Sequence, residues 1–365
     1  MKFLHTAMMR KRSSGILNQM HAEYISAQQL GLPYDVKIFT EDENIPKKYL
    51  DILKIYKPKN KNKIARWIEF RRAYYTWLVS QQSSLDCFII RHSLYDPFQY
   101  YFIKFVTIPV FLVHHTKEVD ELKSFGIKGG VLSLIENIFG ERSLRNCTGI
   151  VGVTNELIEY EKKRANIFNK PSVLYSNGVL ISGAIPLDRR DRKLIEIMFV
   201  ASYFYDWHGL DLLIKSIKES NKDNFKLHLI GELSKTDLKL INGDQRFIVH
   251  GLLDVKEISK ISECCTLALG SFALNRKNIV EGSTLKVREY LSLGLPVYSG
   301  HQDVFPTDFI FYKCGDVNID AILKYAVEMM NYSKNDISNQ SVPYISKKII
   351  LNKFFHDIKN IVDLS

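Results

Sequence analysis

Residues 281–300 read EGSTLKVREYLSLGLPVYSG, and this stretch predicts three consecutive pieces of structure. A loop comes first, then a helix that Ser283 or Thr284 opens and Gly294 closes, and finally a buried strand. Helices that alternate with buried strands are the building units of α/β domains with a parallel sheet. We therefore expect this stretch to form one unit of such a domain.

The same alternation extends in both directions from this unit. The apolar runs predicted as buried strands are, in chain order, KFLHTAMM, DVKIF, DCFIIR, IPVFLV, GIVGVT, IEIMFVA, FKLHLIG, RFIVHG, CTLALG and LPVYSG. Helical or loop segments such as ILNQMHAEYISAQQLG separate them. The pattern predicts two doubly wound, Rossmann-like α/β domains. Because ligands bind at the carboxyl ends of parallel strands, we expect the active site in a cleft between two facing domains.

The boundary between the domains is predicted near residues 178–193. Gly, Pro and a cluster of charged residues interrupt both the helical and the strand periodicity there. We expect an N-terminal domain at residues 1–178 and a C-terminal domain at residues 179–345. The segment that follows, residues 346–365, has a helical pattern.

Composition limits the class of protein. The 365 residues suit two domains, and 46% apolar with 25% charged residues indicate a folded protein. Nearly all of the net charge of +10 comes from the first half of the chain. We find no signal-peptide core and no membrane-spanning run, so we expect a cytoplasmic protein. The cysteines lack CxxC spacing and a disulfide framework, which fits a reducing compartment; they are Cys87, Cys147, Cys264, Cys265 and Cys314.

The start of the helix in residues 281–300 is suited to bind a diphosphate. Unpaired backbone N–H groups and the helix dipole favour an anion there, and Gly282 lets a ligand approach the backbone closely. From this position Glu281 could reach a sugar hydroxyl, and Glu289, two helical turns along, could accept both hydroxyls of a ribose. The alternative is an amphipathic helix whose acids are solvated and balanced by Lys286 and Arg288.

This stretch resembles the donor-binding motif of retaining glycosyltransferase family 4, which has the GT-B fold. In that motif two glutamates separated by seven residues precede a G-x-P-V strand, here Gly294 to Val297. The resemblance implies that Glu281 contacts the donor sugar, that Glu289 contacts the ribose, and that the backbone of Gly282, Ser283, Thr284 and Leu285 contacts the diphosphate. It also implies that the helix in residues 346–365 crosses back to the N-terminal domain.

The sequence departs from the family where many members carry an Arg and a Lys that clamp the diphosphate. This chain has Ser202 and His208 at those places, and its Trp-His-Gly triplet at 207–209 resembles a branch that builds bacterial surface polysaccharides. Positive charge must then come from elsewhere, because a departing nucleotide diphosphate needs it. We expect Lys286 to supply it, with Arg276 as the second candidate. The alternative for Arg276 is a solvated loop residue.

Other matches to the family are shorter. Gly231 ends a predicted strand as the family's phosphate-side glycine does, and His250 with Gly251 lies where the family packs backbone against the nucleobase. Each could equally be a plain turn. Ser14 and Gly15 follow the first predicted strand and resemble the family's N-terminal glycine loop, which approaches the donor phosphates and the acceptor.

A pair of histidines, His114 and His115, is predicted at the carboxyl end of a strand. In the family a histidine near this point meets the donor sugar, and the spacing favours His115. The alternative is a histidine that is hydrogen-bonded near the surface.

Residues 56–80 interleave basic and aromatic side chains. Such a segment can hold an amphipathic helix at an anionic membrane surface, or near a lipid-diphosphate acceptor. The alternative is a helix whose aromatic residues pack in the core while its lysines stay in water.

The sequence therefore predicts a glycosyltransferase with a nucleotide-sugar donor, UDP preferred. By resemblance it transfers a hexose-type sugar with retention to a lipid-linked glycan of a bacterial O-antigen or capsule, at the cytoplasmic face of the membrane. We expect no cofactor and no metal, since no D-x-D pair ends a strand. One alternative is a nucleotide-sugar epimerase. Another is a basic nucleic-acid-binding protein, although no known nucleic-acid-binding motif is present.

Overall fold

The computed structural model describes residues 1–123, 126–181, 185–191 and 193–364. Part of the predicted domain boundary, residues 182–184 and 192, lies outside the described residues. The chain divides into two compact units. The first unit contains Met1–Ser176 together with Lys347–Ser365, and the second contains Asn177–Ser346.

The first unit is built on a seven-stranded sheet whose neighbouring strands are all parallel, in the order β3-β2-β1-β4-β5-β6-β7. Its strands are β1 (Phe3–Met9), β2 (Tyr34–Thr40), β3 (Leu53–Ile55), β4 (Cys87–Arg91), β5 (Val110–His114), β6 (Gly149–Gly152) and β7 (Ser172–Leu174). The connecting helices are α1 (Ser14–Leu30), α2 (Lys63–Gln81), α3 (Pro97–Phe105), α4 (Glu118–Lys123), α5 (Gly126–Asn146) and α6 (Asn155–Ala165). The strand order reverses between β1 and β4.

The second unit has a six-stranded, fully parallel sheet in the order β10-β9-β8-β11-β12-β13. Its strands are β8 (Ile195–Tyr203), β9 (Phe225–Glu232), β10 (Phe247–Gly251), β11 (Leu267–Leu269), β12 (Val297–Ser299) and β13 (Tyr312–Cys314). Its helices are α7 (Leu210–Glu219), α8 (Lys235–Ile241), α9 (Val255–Ser262), α10 (Leu285–Ser292), α11 (Ile319–Met329) and α12 (Lys334–Ile345). Here the order reverses between β8 and β11.

The last helix, α13 (Lys347–Asp363), belongs to the first unit although it follows the second in the chain. It packs against α1 and β7 through its apolar face. The ring of Phe354 stacks on Tyr175 with centroids 4.0 Å apart, and Phe355 lies 4.8 Å from Phe3. These aromatic contacts join α13 to the core of the first sheet.

The predicted fold class, two doubly wound α/β domains, is confirmed, and each of the ten predicted strands is present. Three further strands were not predicted: β3, β7 and β13, each only three residues long and half-buried or exposed over most of its length. They are short strands at sheet edges, with too few apolar residues to form a recognisable run.

Three aromatic residues of α2 are part of the core, as in the alternative interpretation, and the membrane contact of residues 56–80 stays a prediction. Phe70, Tyr74 and Tyr75 are buried among the side chains of β1, β2 and β4. Arg71 is also buried and forms an ion pair with Asp96 at 3.1 Å. The lysines just before the helix and at its first residue stay exposed; they are Lys57, Lys59, Lys61 and Lys63. Among the described residues no helix has the length and apolar character needed to cross a bilayer.

Candidate functional site

The candidate site of the second unit lies at the carboxyl ends of β8, β11 and β12, beside the point where the strand order reverses. This is the edge of a doubly wound sheet at which ligands bind. The segments that meet there include the loop and turn at 202–209, the loop at 270–284 and the residues that follow β12. Backbone hydrogen bonds connect them, since Phe272 donates its N–H to the carbonyl of His208 at 2.9 Å and Gly300 donates to Ser271 at 3.1 Å.

The loop at 280–284 is held by the residue Gln302. The N–H of Gly282 donates to the carbonyl of Gln302 at 2.8 Å, and the N–H of Gln302 donates to the carbonyl of Val280 at 3.1 Å. Glu281, between them, forms a single parallel β-bridge with Gln302. The backbone around Glu281 is therefore extended and fixed, which sets the direction of its half-buried side chain.

Helix α10 begins at Leu285 with Thr284 as its N-cap, within the predicted bounds. The Thr284 side chain makes no capping hydrogen bond, so the first N–H groups of the helix remain available to a ligand. Glu289 lies on the exposed surface of this helix. Loss of solvent around its carboxyl group raises the pKa of Glu289, and the nearby Lys286 ammonium opposes that shift.

Three polar atoms at this edge are buried and lack a hydrogen-bond partner among the described residues: Thr284 Oγ1, Lys286 Nζ and His301 Nε2. Burial lowers the pKa of Lys286 to about 8. Burial is also the largest cause of the lowered pKa of His301, and the Lys286 charge adds to it. Buried polar groups without partners are costly and uncommon in proteins. The Lys286 ammonium and the Thr284 hydroxyl can each donate a hydrogen bond to an anion, whereas His301, whose Nδ1 faces the carbonyl of Ser271, presents an acceptor at Nε2.

His301 was missed by sequence reasoning. It is buried, and its Nδ1 lies 2.7 Å from Ser299 Oγ and 3.0 Å from the carbonyl of Ser271. A Cβ atom on Gly282 would lie 2.9 Å from His301 Cδ2 and 3.0 Å from Leu274 Cδ1. The packing of His301 and Leu274 thus favours glycine at 282, a reason that the sequence did not show, and the approach of a ligand to Gly282 stays a prediction. Only its place after a buried strand could have indicated His301.

Arg276 is engaged elsewhere, which makes it the weaker candidate for the diphosphate. Its guanidinium group donates to both carboxylate oxygens of Asp211, at 3.0 and 2.8 Å, and to the carbonyl of Asp206 at 2.6 Å. The neighbouring Lys277 lies over the ring of Trp207, 3.5 Å from the centroid. These contacts join two turns of the loop region. Lys286, by contrast, has no hydrogen-bond partner among the described residues, and its ammonium lies 5.4 Å from the centroid of the Phe199 ring.

His208 is buried in the turn that follows β8, and Ser202 is exposed at the end of that strand. The N–H of Tyr205 donates to His208 Nδ1 at 3.0 Å, so the lone pair of this nitrogen is used within the turn. Burial first, and then the Lys286 charge, lower the pKa of His208 to about 3. His208 is therefore a neutral side chain that shapes the loop, and it supplies no positive charge.

Gly231 and Gly251 end neighbouring strands at the same edge of the sheet. Gly231 has φ 128°, and a Cβ atom there would lie 1.6 Å from the carbonyl oxygen of Ala201, so only glycine fits. His250 Nε2 lies 2.9 Å from Nδ1 of His228 on β9. The side chain of His250 is thus turned to its neighbouring strand.

In the first unit the two histidines at the end of β5 differ in their surroundings. His114 is fully buried, 3.3 Å from Glu118 and 3.7 Å from Glu161, and its ring stacks on His92. His115 is half-buried just after the strand. Burial, followed by the charge of Arg91, holds the pKa of His115 well below its ordinary value. His114 thus belongs to a buried network, and His115 is the neutral ring at the strand's end.

Arg91, at the end of β4, is a second residue that sequence reasoning missed. Burial lowers its pKa to about 10, and the carboxylates of Glu118 and Glu121 oppose the shift. An Arg that ends a buried strand, as in CFIIR, could have indicated it. Ser14 and Gly15 are exposed in the first turn of α1, where Ser13 caps the helix by accepting from the N–H of Ile16 at 3.5 Å.

Comparisons with known proteins identify the fold. No protein-family model and no curated protein sequence matches the chain. Solved structures do match, including the lipopolysaccharide outer core galactosyltransferase WaaB, with a TM-score of 0.69, 14% identity, and coverage of 98% of this chain and 99% of that one. Anabaena HepE in complex with UDP has a TM-score of 0.65 at 9% identity, over 99% of this chain and 100% of the other.

A protein from Listeria monocytogenes assigned as a UDP-N-acetylglucosamine 2-epimerase also matches. Its TM-score is 0.55 at 9% identity, and the match covers 100% of this chain and 98% of that one. At these identities the likeness concerns the fold. Together with the two parallel sheets and their strand orders, it shows that the chain has the GT-B fold.

Proposed function

We propose that this protein is a glycosyltransferase that takes a hexose-type sugar from a nucleotide diphosphate sugar. The observation that carries the proposal is the set of three buried, unpartnered polar atoms on Thr284, Lys286 and His301, counted among the described residues. They lie at the ligand-binding edge of a doubly wound sheet, next to the start of a helix. A diphosphate in this place would accept hydrogen bonds from the hydroxyl, the ammonium and the free N–H groups of α10.

The proposed position of the diphosphate suggests which other residues at this sheet edge bind the sugar and the nucleoside. Glu281 is proposed to bind hydroxyls of the donor sugar, and Glu289 to accept hydrogen bonds from the ribose, whose two hydroxyls suit a carboxylate. The backbone of Gly282, Ser283 and Leu285 is proposed to line the phosphates. The carboxyl ends of β9, with Gly231, and of β10, with His250 and Gly251, are proposed to lie against the nucleoside.

Catalysis is proposed to consist of positioning and of charge stabilisation. Lys286, with a pKa of about 8, is largely protonated at neutral pH and offsets the charge that develops on the departing nucleotide diphosphate. His115, held neutral by burial, is proposed as a hydrogen-bonding contact to the donor sugar. We propose retention of anomeric configuration, without a metal in the reaction. The anomeric coupling constant in the proton NMR spectrum of the product tests this, and inversion would contradict it.

UDP is the proposed nucleotide and a lipid-linked glycan the proposed acceptor. Support for UDP comes from HepE, whose structure contains it. Support for the acceptor comes from WaaB, which is named for lipopolysaccharide outer core. We propose O-antigen or capsule synthesis as the pathway.

We propose that the protein acts at a membrane surface. The exposed side chains of α5 are better suited to bind that surface than residues 56–80. Four apolar side chains of α5 recur at helical spacing and are between 43% and 92% exposed; they are Ile127, Val131, Leu134 and Ile138. Phe105, on the adjacent α3, is 71% exposed, and Lys104 and Lys128 flank these side chains in the sequence. An exposed apolar stripe with nearby cations is suited to the interface of an anionic bilayer.

The test is thermal stability in the presence of UDP, GDP, ADP or CMP. A ligand at about 100 times its dissociation constant adds about 2.7 kcal/mol, which raises the Tm by several degrees. We expect a shift with UDP that Lys286→Met and Glu289→Ala reduce. The matched controls are Lys324→Met and Glu328→Ala, which alter exposed residues of α11. If none of the four nucleotides shifted the Tm, the proposed donor site would be wrong.

A nucleotide-sugar epimerase is the second candidate, favoured by the structural match to the Listeria protein. An epimerase converts the nucleotide sugar without an acceptor. Incubation with UDP-N-acetylglucosamine alone, followed by proton NMR, separates the two functions. Formation of an epimer of the nucleotide sugar would establish the second candidate, whereas unchanged donor combined with transfer to an added acceptor supports the first.

A further inference from the structure

A second cluster of polar and sulfur-containing side chains lies within the sheet of the second unit, apart from the donor residues. It contains His228 on β9, Glu196 on β8, and the adjacent residues Cys264 and Cys265 just before β11. A ring nitrogen of His228 and the two sulfur atoms all lie within 4.8 Å of one another. Glu196 Oε2 lies 3.8 Å from His228 Nε2.

Two atoms of this cluster have no hydrogen-bond partner in the parts of the chain that the structure describes. They are His228 Nε2 and Glu196 Oε2, and both are buried. The His228 side chain as a whole is 6% exposed, and Cys265 is fully buried. A buried imidazole nitrogen and a carboxylate oxygen left without partners need a further group to satisfy them.

The other ring nitrogen of His228 is already held in place. Nδ1 lies 2.9 Å from Nε2 of His250, and the two rings stack with centroids 5.2 Å apart. Histidines that bind a metal through one nitrogen commonly have the other oriented by such a hydrogen bond.

We propose that His228, Cys264, Cys265 and Glu196 form a binding site for one Zn²⁺ ion. Two sulfurs, one imidazole and one carboxylate make a four-ligand set of the type that zinc accepts in tetrahedral geometry. Zinc–sulfur bonds of about 2.3 Å place two tetrahedral sulfur ligands about 3.8 Å apart. The ligand atoms of His228, Cys264 and Cys265, now within 4.8 Å of one another, would move closer to reach that spacing, and Glu196 lies 3.8 Å from His228 as the fourth ligand.

Lys334 provides charge compensation for the site. It is buried, and its ammonium donates to the carbonyls of Ser262 and Glu263, which immediately precede the two cysteines. Zinc with two thiolates and one carboxylate carries a net charge of −1, which this cation balances. The thiols now contact the carbonyl of Ile261, at 3.1 Å from Cys264 Sγ and 3.3 Å from Cys265 Sγ. Zinc binding would replace these weak contacts and release the thiol protons.

The position indicates a structural ion. Glu196 is the second residue of β8, and the cysteines precede β11, so both lie at the amino ends of their strands. Ser202, at the other end of β8, is six residues away, or about 20 Å at about 3.3 Å per residue. The ion would connect β8, β9 and the segment before β11, and it would take no part in the sugar transfer. The proposal does not rest on the proposed function, although His250, which holds His228, is also proposed to lie against the nucleoside.

The test uses cobalt and zinc with the purified, metal-stripped full chain. We expect Co²⁺ to give a thiolate charge-transfer absorption that saturates at one equivalent and disappears on addition of Zn²⁺. We also expect Zn²⁺ to raise the Tm of the wild type. Cys264→Ser should abolish both effects, and because Cys264 is only partly buried this variant should keep the fold, which circular dichroism checks. His228→Gln should act in the same way.

Cys314→Ser is the matched control, because Cys314 is an exposed thiol outside the cluster. It should retain the cobalt spectrum and the zinc-dependent rise in Tm. Absence of the charge-transfer band in the wild type would overturn the proposal, and Cys264 and Cys265 would then be thiols that only pack in the core. A band of equal intensity in folded Cys264→Ser would overturn it as well, since the metal would then bind elsewhere.

Discussion

Asn177 holds Ser283 by two hydrogen bonds, although the two residues are 106 positions apart in the chain. The backbone N–H of Asn177 donates to Ser283 Oγ at 3.0 Å, and its side-chain Nδ2 donates to the carbonyl of Ser283 at 2.6 Å. Arg288 also donates to the carbonyl of Asn177, at 3.2 Å. The first residue of the second unit thus fixes the backbone from which α10 begins.

Replacement of Asn177 by Ala should destabilise the second unit and weaken the binding of UDP. The buried carbonyl of Ser283 would lose its side-chain donor, at a cost of about 1–3 kcal/mol. The Tm without ligand and the dissociation constant for UDP by calorimetry measure the two effects. Asn331→Ala is the control, since that exposed amide bonds only the neighbouring carbonyl of Glu328. An unchanged affinity for UDP would show that this contact does not shape the donor site.

The two glutamates of the donor motif should give different kinetic effects. Glu289→Ala removes the proposed hydrogen bonds to the ribose and should weaken nucleotide binding about 10- to 100-fold, the range of about 1.5–3 kcal/mol for a charged hydrogen bond. Glu281→Gln should mainly lower kcat, because its contact with the sugar is proposed to act during transfer. Steady-state kinetics and UDP calorimetry distinguish them. Wild-type behaviour of both variants would refute the assigned roles, and Glu328→Ala serves as the matched control.

The affinity for UDP should fall as pH rises through about 8, where Lys286 loses its proton in the free protein. Only the ammonium form attracts the diphosphate, so affinity should decrease by up to tenfold per pH unit above that value. In the folded state the pKa of Lys286 lies below its ordinary value of 10.5. Between about pH 8 and pH 10.5 this lysine is therefore more often protonated in the unfolded chain than in the folded protein. This group's contribution to stability therefore increases with pH in that window.

Lys286→Met should bind UDP weakly and with little pH dependence above pH 8, whereas Lys324→Met should behave as the wild type. Calorimetry at a series of pH values measures both. A pH dependence that Lys286→Met retained would assign the titration to another group.

Gly282→Ala should lower stability by about 1–3 kcal/mol, because the new methyl group would crowd His301 and Leu274. It should also reduce UDP binding, since His301 and the loop at 280–284 would both move. Thermal unfolding and calorimetry are the measurements. Gly130→Ala is the comparison: it lies in α5 with open space around it, and it should raise stability by about 0.5–1 kcal/mol. If Gly282→Ala bound UDP as tightly as the wild type, the contact between Gly282 and His301 would not be needed for donor binding.

The apolar stripe of α5 should mediate binding to anionic membranes. In sedimentation with phosphatidylglycerol vesicles, we expect the wild type to bind and the double variant Ile127→Asp, Leu134→Asp to lose most binding, since charged side chains do not enter the interface. Phosphatidylcholine vesicles should retain less protein. Val327→Asp, at an exposed position of α11, is the matched control. If the double variant bound like the wild type, α5 would not be the membrane contact.

The sequence allowed prediction of the elements whose pattern is local. Ten strands were recognisable because long apolar runs need no knowledge of their neighbours. The residue types of helix starts left Ser283 and Thr284 as candidates for the N-cap of α10, and the structure has Thr284 there. The aromatic residues of α2 were open to two interpretations, since an apolar stripe has the same spacing whether it faces a core or a membrane. The packing of Phe70 and Tyr74 against the sheet places these two side chains in the core.

What the sequence determined by itself is therefore the alternation of strands and helices, the two doubly wound sheets and the helix that carries Lys286 and Glu289, with Glu281 in the loop before it. The tertiary structure decided how the cations are held: Arg276 is paired with Asp211, whereas Lys286 has no hydrogen-bond partner among the described residues. It also placed His301 beside Gly282 and His228 beside Cys264. Spacing along a chain specifies which residues share a strand or helix face, but contacts between distant segments depend on how strands pair and side chains pack.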